Sequence, residues 1–391
     1  MTSTPFRVAY VDHACDIGGG AQEALLDILR YADRRIVQPV LLHAEGAQWL
    51  RDVDLNTLET RVVFPAAEAF PGQSRDDLGS LWRRASGAAQ SLQPVRRIRR
   101  ALAECRVDIV HTNTLKCHIL GGLAARLAGK PLIWDVRDIL EAGAARSVLL
   151  AVAKRTRPHV VAMSSAVADS LASARCETTV VLGARPLDKY SPDAPDDQLR
   201  AAIGIEPTDK VLSVIARLTP WKGHTTLLEA FASVLPQEPA ARLLVIGDTG
   251  FWESDYRDTL ERLAEQLGCA DAVRWLGFRE DITELLALTD VVVLPSHNEP
   301  FGLVLIEAMA ANKPVIATNT AGPLEIVASG ATGLLVEHGD ARQLADAMLE
   351  LLGDPDRART MGQAGRKRAE KLFDISRLMQ QLYGVYETVT S

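Results

Sequence analysis

The sequence predicts an α/β protein built on two open, doubly wound parallel sheets. Three observations carry that reading. Short apolar runs alternate with helical patterns along most of the chain. The runs are near-continuous in Val, Ile and Leu, as parallel strands covered on both faces read, rather than alternating with polar residues. And 391 residues exceed what a single core sustains, so two domains are the default.

In the first half the strand candidates are "FRVAYVD", "VQPVLLH", "RVVF", "VDIVH", "LIWDV", "HVVAMS" and "TVVL". Helical patterns lie between several of them, and "EALLDILRYA" puts Leu25, Leu26, Ile28 and Leu29 on one face. The segment "LGARPLDKYSPDAPDDQLR", residues 182–200, is rich in Pro and Asp, has no periodicity and reads as a linker. The second half supplies "VLSVIA", "RLLVIG", "VRWLG", "VVVLP", "PVIAT" and "LLVE". "FDISRLMQQLYGVYETVTS" is an amphipathic helix candidate that follows the second sheet with no strand to cross to, and is expected to pack back on the first domain. The expected division is residues 1–186, 187–370 and a terminal helix over 371–391.

Composition narrows the function. The chain is 47% apolar and 24% charged with a net charge of -7, an ordinary globular balance with no basic field for nucleic acid. The start, "MTSTPFRVAY", carries no secretory signal, and no apolar run approaches a membrane span. Five scattered cysteines (Cys15, Cys105, Cys117, Cys176, Cys269) form neither a disulfide framework nor a zinc site and fit a reducing, cytoplasmic setting. The stretch "LWRRASGAAQSLQPVRRIRRALAEC" holds six arginines, with Val95, Ile98 and Leu102 on one helical face. The expected role is a helix covering the sheet; peripheral contact with anionic lipid is the alternative.

Ligands of open parallel sheets bind beyond the carboxyl ends of the strands, so the cleft between two such sheets is the natural site. Unusual residues gather there. Gly18, Gly19 and Gly20 precede a helix and suit close backbone approach to an anion, yet match neither the dinucleotide fingerprint nor a P-loop. Arg217 and Lys222 flank a Pro-Trp turn after "VLSVIA" and suit a diphosphate, with a solvated basic turn as the alternative. Gly247 and Gly250 end the next strand, and Phe278, Arg279, Glu280 and Asp281 form a loop that could face a base ring. In "HNEPFGLVLIEAMA", Glu299 lies in the turn after a core strand and Glu307 inside an apolar helix expected to start near Gly302. A carboxylate there needs a partner, and paired ribose hydroxyls, or an ion pair with a nearby Arg, would supply one. The set describes a site for a nucleoside diphosphate bearing a sugar.

With those residues in view, the second half resembles the retaining glycosyltransferases of family 4, which have the GT-B fold of two Rossmann-like domains facing a central cleft. "ARLTPWKGHTTLLEAF" is similar to the family's Arg-Leu-x-x-x-Lys-Gly segment, and "EPFGLVLIEAMA" to its Glu-x7-Glu motif. "KPVIATNTAGPLEIV" and "GATGLLVEHGD" follow in the family's order; the first half matches more loosely, through "GGGAQEALLDIL" and "VDIVHTNTLKCHILGGLAARLAGKPLIWDVRD". The resemblance implies that Arg217 and Lys222 hold the donor diphosphate, that Glu307 binds the ribose, and that Glu299 with the backbone of Phe301, Gly302 and Leu303 holds the donor sugar. Gly19 and Gly20 would line the phosphate side. It implies no cofactor and no metal, a nucleotide-sugar donor, and a hydroxyl acceptor that could be a small molecule, a glycan or a lipid-linked sugar. Transfer would proceed by front-side attack, with domain closure about residues 183–190. Two departures stand out. Arg137 and Asp138 occupy a corner where many members carry His and, with His111 and Asn113, are candidates for contact with the acceptor or the donor sugar, a structural role being the equal alternative for His111 and Asn113; and "GARPLD" replaces the usual Asn-Gly-Val-Asp, with Arg185 a local substitute or a linker charge. The alternatives are an epimerase of the same fold, a phosphorylase-like relative, for which no pyridoxal lysine stands out, and a nucleotide-sugar-binding protein without catalysis.

Overall fold

The computed structural model describes residues 4–15, 19–51, 53, 57–65, 92–190, 196–249 and 255–391. Gly18, Gly250 and residues 81–91 of the arginine-rich stretch lie outside them. The chain divides into two compact units, Met1–Gly183 with Ile375–Ser391, and Ala184–Asp374.

The first unit holds a seven-stranded sheet. Its strands are β1 Phe6–Val11, β2 Val37–Ala44, β3 Glu59–Phe64, β4 Ile109–Thr112, β5 Leu132–Val136, β6 His159–Ala162 and β7 Thr178–Val180. They are ordered β3-β2-β1-β4-β5-β6-β7 and every pair is parallel. Val8, Ala9, Tyr10 and Val11 are all buried, as a central strand covered on both faces requires. Leu25, Leu26, Ile28 and Leu29 of the helix Gly20–Tyr31 are buried together, so the spacing read from the sequence is the core face. The helix Leu92–Glu104 buries Val95, Ile98 and Leu102, which makes it a covering helix over its described residues. The helix Ile375–Thr390 belongs to this unit and packs against the helix Gly20–Tyr31, burying Leu378, Met379, Leu382 and Tyr386.

The second unit holds six parallel strands ordered β10-β9-β8-β11-β12-β13. They are β8 Lys210–Ile215, β9 Ala241–Ile246, β10 Val273–Gly277, β11 Val291–Leu294, β12 Val315–Thr318 and β13 Gly333–Val336. Along β9, Leu243 and Val245 enter one apolar cluster while Leu244 and Ile246 enter another. That period of two places a core on each face of the sheet.

One expectation needs correction. Residues 182–200, read as linker, include a 3-10 turn at Leu187–Tyr190 and the start of the helix Asp197–Ala202. The cause is local: the Asp196 carboxylate accepts from the backbone N–H groups of Gln198 and Leu199, turning an apparent linker acid into an N-cap.

In each sheet the strand order reverses once, between β1 and β4 and between β8 and β11. Those are the switch points at which doubly wound sheets hold ligands.

Candidate active site

At the β8/β11 switch point the chain leaves β8 into Arg217 and Lys222 and leaves β11 toward Glu299. The two segments meet. Lys222 Nζ donates to Glu299 Oε2 at 2.6 Å, and the backbone N–H of His297 donates to Trp221 O at 2.7 Å. Lys222 also stands over the Trp221 ring, 4.1 Å from its centroid. Arg217 is exposed and forms no ion pair with any described residue. One cation is therefore joined to an acid while the other stands in solvent a few residues away.

The helix Leu303–Ala310 follows directly. Gly302 is its N-cap with φ +99, a left-handed conformation that glycine adopts without cost, and it lets the chain turn sharply from Phe301 into the helix. Phe301 is fully buried and meets the ring of Phe373 edge-on, with centroids 5.9 Å apart. Its side chain is thus core, and what the turn can offer a ligand is backbone, at the end of the helix where first-turn N–H groups lack intrahelical partners. The expected Leu303 is the first residue of that helix and half-buried. The Glu299 carbonyl accepts from Gly322 N at 3.0 Å, which ties this turn to the loop after β12.

Glu307 is buried within the same helix. Its Oε1 accepts from Arg185 Nε at 2.7 Å, with the two side chains only 8% and 9% exposed. Of the partners foreseen for this acid, the structure supplies the arginine. Sequence reading marked Arg185 only as a departure from a motif; nothing in the spacing of residues 185 and 307 could have joined them.

The other expected donor residues fall at the ends of β9 and β10. Gly247 donates to Gly277 O at 2.8 Å, and a Cβ on it would lie 2.0 Å from Ala216 O, so its place is dictated by the close approach of the β8 and β9 ends. Arg279 is joined to Asp281, with Nε donating to Oδ1 at 2.7 Å, and Phe278 is 54% exposed beside it. His224, which opens the helix after Lys222, escaped sequence reading. Burial, with the Lys222 charge second, lowers its pKa to about 4, and neither ring nitrogen has a hydrogen-bond partner.

At the β1/β4 switch point of the first unit, Gly19 N donates to Gln22 Oε1 at 3.1 Å and Gly20 begins the helix. Gln22 Nε2 donates in turn to the buried carboxylate of Asp12, which also accepts from Asn113 Nδ2 at 3.0 Å. Asn113 is thus a brace between the ends of β1 and β4. His111 is buried and Arg137 half-buried, and both are engaged by neighbouring side chains. His111 Nδ1 lies 3.1 Å from the Tyr386 hydroxyl and its Nε2 3.5 Å from Asp135 Oδ2. Arg137 donates to the same carboxylate oxygen at 2.6 Å. Burial alone would raise Asp135, but the Arg137 charge and His111 outweigh it and hold the acid down to about 2. Tyr386 and Tyr10 share a hydrogen bond at 2.9 Å behind His111. Asp138 is exposed. The arginine in the family's histidine corner is therefore consumed by Asp135, two residues before it.

Among the described residues no group of three His, Cys, Asp or Glu side chains could hold a metal ion, and no helix is long and apolar enough to cross a membrane.

Two parallel doubly wound sheets with charged loops at a switch point define the class: a glycosyltransferase of GT-B fold. The profile described as Glycosyltransferase Family 4 matches residues 18–182, and that described as Glycosyl transferases group 1 matches residues 195–368. The chain belongs to the family 4 glycosyltransferases. D-inositol 3-phosphate glycosyltransferase of Corynebacterium urealyticum is 34% identical over 223 residues, covering 56% of this chain and 52% of that one. N-acetyl-alpha-D-glucosaminyl L-malate synthase of Bacillus anthracis is 34% identical over 192 residues, 49% of each chain. The alignments span about half the length of these curated relatives. The crystal structure of Anabaena HepE in complex with UDP and glucose is similar over 98% of this chain and 99% of that chain, with 27% identity and a TM-score of 0.83.

Proposed function

We propose that this protein transfers a sugar from a nucleoside diphosphate sugar to an acceptor hydroxyl, with retention at the anomeric carbon and without a metal ion. The observation that carries the reading is the pair at the switch point: Lys222 held at 2.6 Å on Glu299, with the exposed Arg217 beside it. A diphosphate leaving group builds negative charge as the glycosidic bond breaks, and fixed cations stabilise that charge with no reorganisation at the moment of reaction. Arg217 offers a planar fork and Lys222 a point charge. Glu299 then holds Lys222 and accepts from sugar hydroxyls, and Glu307 accepts from the ribose. Arg279 and the exposed ring of Phe278 would serve the base end of the nucleotide.

In this mechanism the bond from the anomeric carbon to the phosphate oxygen breaks with its electron pair leaving on the diphosphate. The acceptor oxygen bonds to the same face of that carbon, and its proton passes to the departing phosphate oxygen. The protein contributes position and charge. Two relatives point to donor chemistry: HepE was crystallised with UDP-glucose, and a mannosyltransferase of Corynebacterium glutamicum, 35% identical over 211 residues, is named for GDP-mannose.

A thermal-shift screen with UDP-, GDP- and ADP-sugars, followed by product detection with inositol phosphates, hydroxy acids and lipid-linked sugars, tests the reading. One donor class should raise the melting temperature and yield free nucleoside diphosphate at a rate that excess EDTA leaves unchanged. No stabilisation by any donor, or turnover that EDTA abolishes, defeats it; binding without product would leave a binding protein.

A further inference from the structure

The Glu307 carboxylate is held from one side. Oε1 takes the Arg185 Nε–H at 2.7 Å, and Oε2 accepts no hydrogen bond from any described residue, although the side chain is only 9% exposed. That second oxygen is not sealed from solvent, so a ligand can reach it and use its remaining hydrogen-bonding capacity. Arg185 is itself fixed at both ends. Its backbone N–H donates to Phe373 O at 3.0 Å, it bridges to Asp374 in parallel register, and Phe373 packs edge-on against Phe301 at the start of the Glu307 helix. The guanidinium thus reaches Glu307 from a backbone pinned to the neighbouring strand-like segment.

We propose that Arg185 is the positioning residue of the nucleotide subsite: it takes one oxygen of Glu307 and thereby presents the other to the paired hydroxyls of the donor ribose. This rests on the reading of Glu307 as a ribose ligand. Arg185 holds Glu307 in one rotamer, so the ligand does not meet the cost of ordering the acid. A planar guanidinium binding through Nε leaves the acid's geometry defined where a flexible ammonium would not.

The test uses the full chain and whichever of UDP, GDP or ADP stabilises it most, together with the 2′,3′-dideoxy form of that nucleotide, in isothermal titration. Wild type should bind the hydroxyl-bearing nucleotide roughly tenfold or more tightly, the discrimination expected of a site built to pair substrate hydroxyls. Arg185→Met should reduce that preference to within about threefold while inorganic pyrophosphate binds as before, and Arg185→Lys should restore only part of it. Circular dichroism identifies folded protein; if Arg185→Met does not fold, Arg185→Lys and Arg185→Gln carry the same comparison. A folded Arg185→Met, or Arg185→Gln in its place, that keeps the full preference overturns the positioning role and leaves the ribose reading standing. Wild type without any preference overturns the ribose reading and this proposal with it.

Discussion

The two units use the same fold and the same kind of side chain to opposite ends. In the first, the charges near the strand ends are closed on one another. Asp135 is shared by Arg137 and His111, His111 leans on Tyr386, and Tyr386 on Tyr10, with all but Arg137 buried and the Arg137 side chain 7% exposed. In the second, the groups are left partly unspent: Arg217 stands in solvent, and Glu307 offers an oxygen with no donor among the described residues. Equal chemistry therefore does not mean equal function. What separates them is remaining capacity: a cation or carboxylate not fully taken up by its neighbours at a switch point is where a ligand is expected.

That contrast can be broken most sharply at Asp135. Asp135→Ala strands the Arg137 guanidinium in the interior, and removal of one partner of a buried pair costs about 3–5 kcal/mol. Urea denaturation should show that loss, with nucleotide affinity of the folded variant within twofold of wild type; an unchanged midpoint would mean the network contributes nothing to stability. Lys222→Ala should act the other way round, lowering turnover on the order of 100-fold, or about 2.7 kcal/mol, with the fold retained. Initial rates at saturating donor decide it, and wild-type turnover removes Lys222 from the chemistry.

The smallest effect at any one pH step comes from buried histidine. His224 is held neutral, its pKa lowered to about 4 by burial and then by the Lys222 charge. The unfolded chain takes up the proton near pH 6.5 and the folded one only near pH 4. Stability is thus fully present above pH 6.5 and is lost as the pH falls toward 4, by about 1.4 kcal/mol per pH unit for one such group. His13 and His118, both lowered to about 3 chiefly by burial, extend the loss further into acid from the first unit. His224→Gln should flatten the urea-derived stability profile between pH 6 and 4.5 by that slope; an unchanged slope means another group titrates there.

Much of the candidate site could be proposed from the sequence because its residues sit just after apolar runs. Glu299 and Glu307 stood out as acids in apolar surroundings, and Arg217 and Lys222 as cations flanking one turn. What was not legible was which partner each would take. Arg137 read as a candidate for sugar contact, but its neighbour Asp135, on β5, captured it. Phe301 was expected to offer its backbone, and its ring takes a place in the core that the sequence did not announce. Asp196 read as linker and proved to be a cap.

The central strands among the described residues were announced by the continuous apolar runs that two-sided burial demands, and the helix faces by the spacing of Leu and Ile, since both are local consequences of where water is excluded. Only the tertiary structure decided that Lys222 rests on Glu299 and Arg185 on Glu307, because those partners lie 77 and 122 residues apart and a short-range ion pair depends on the packing that brings its two ends together.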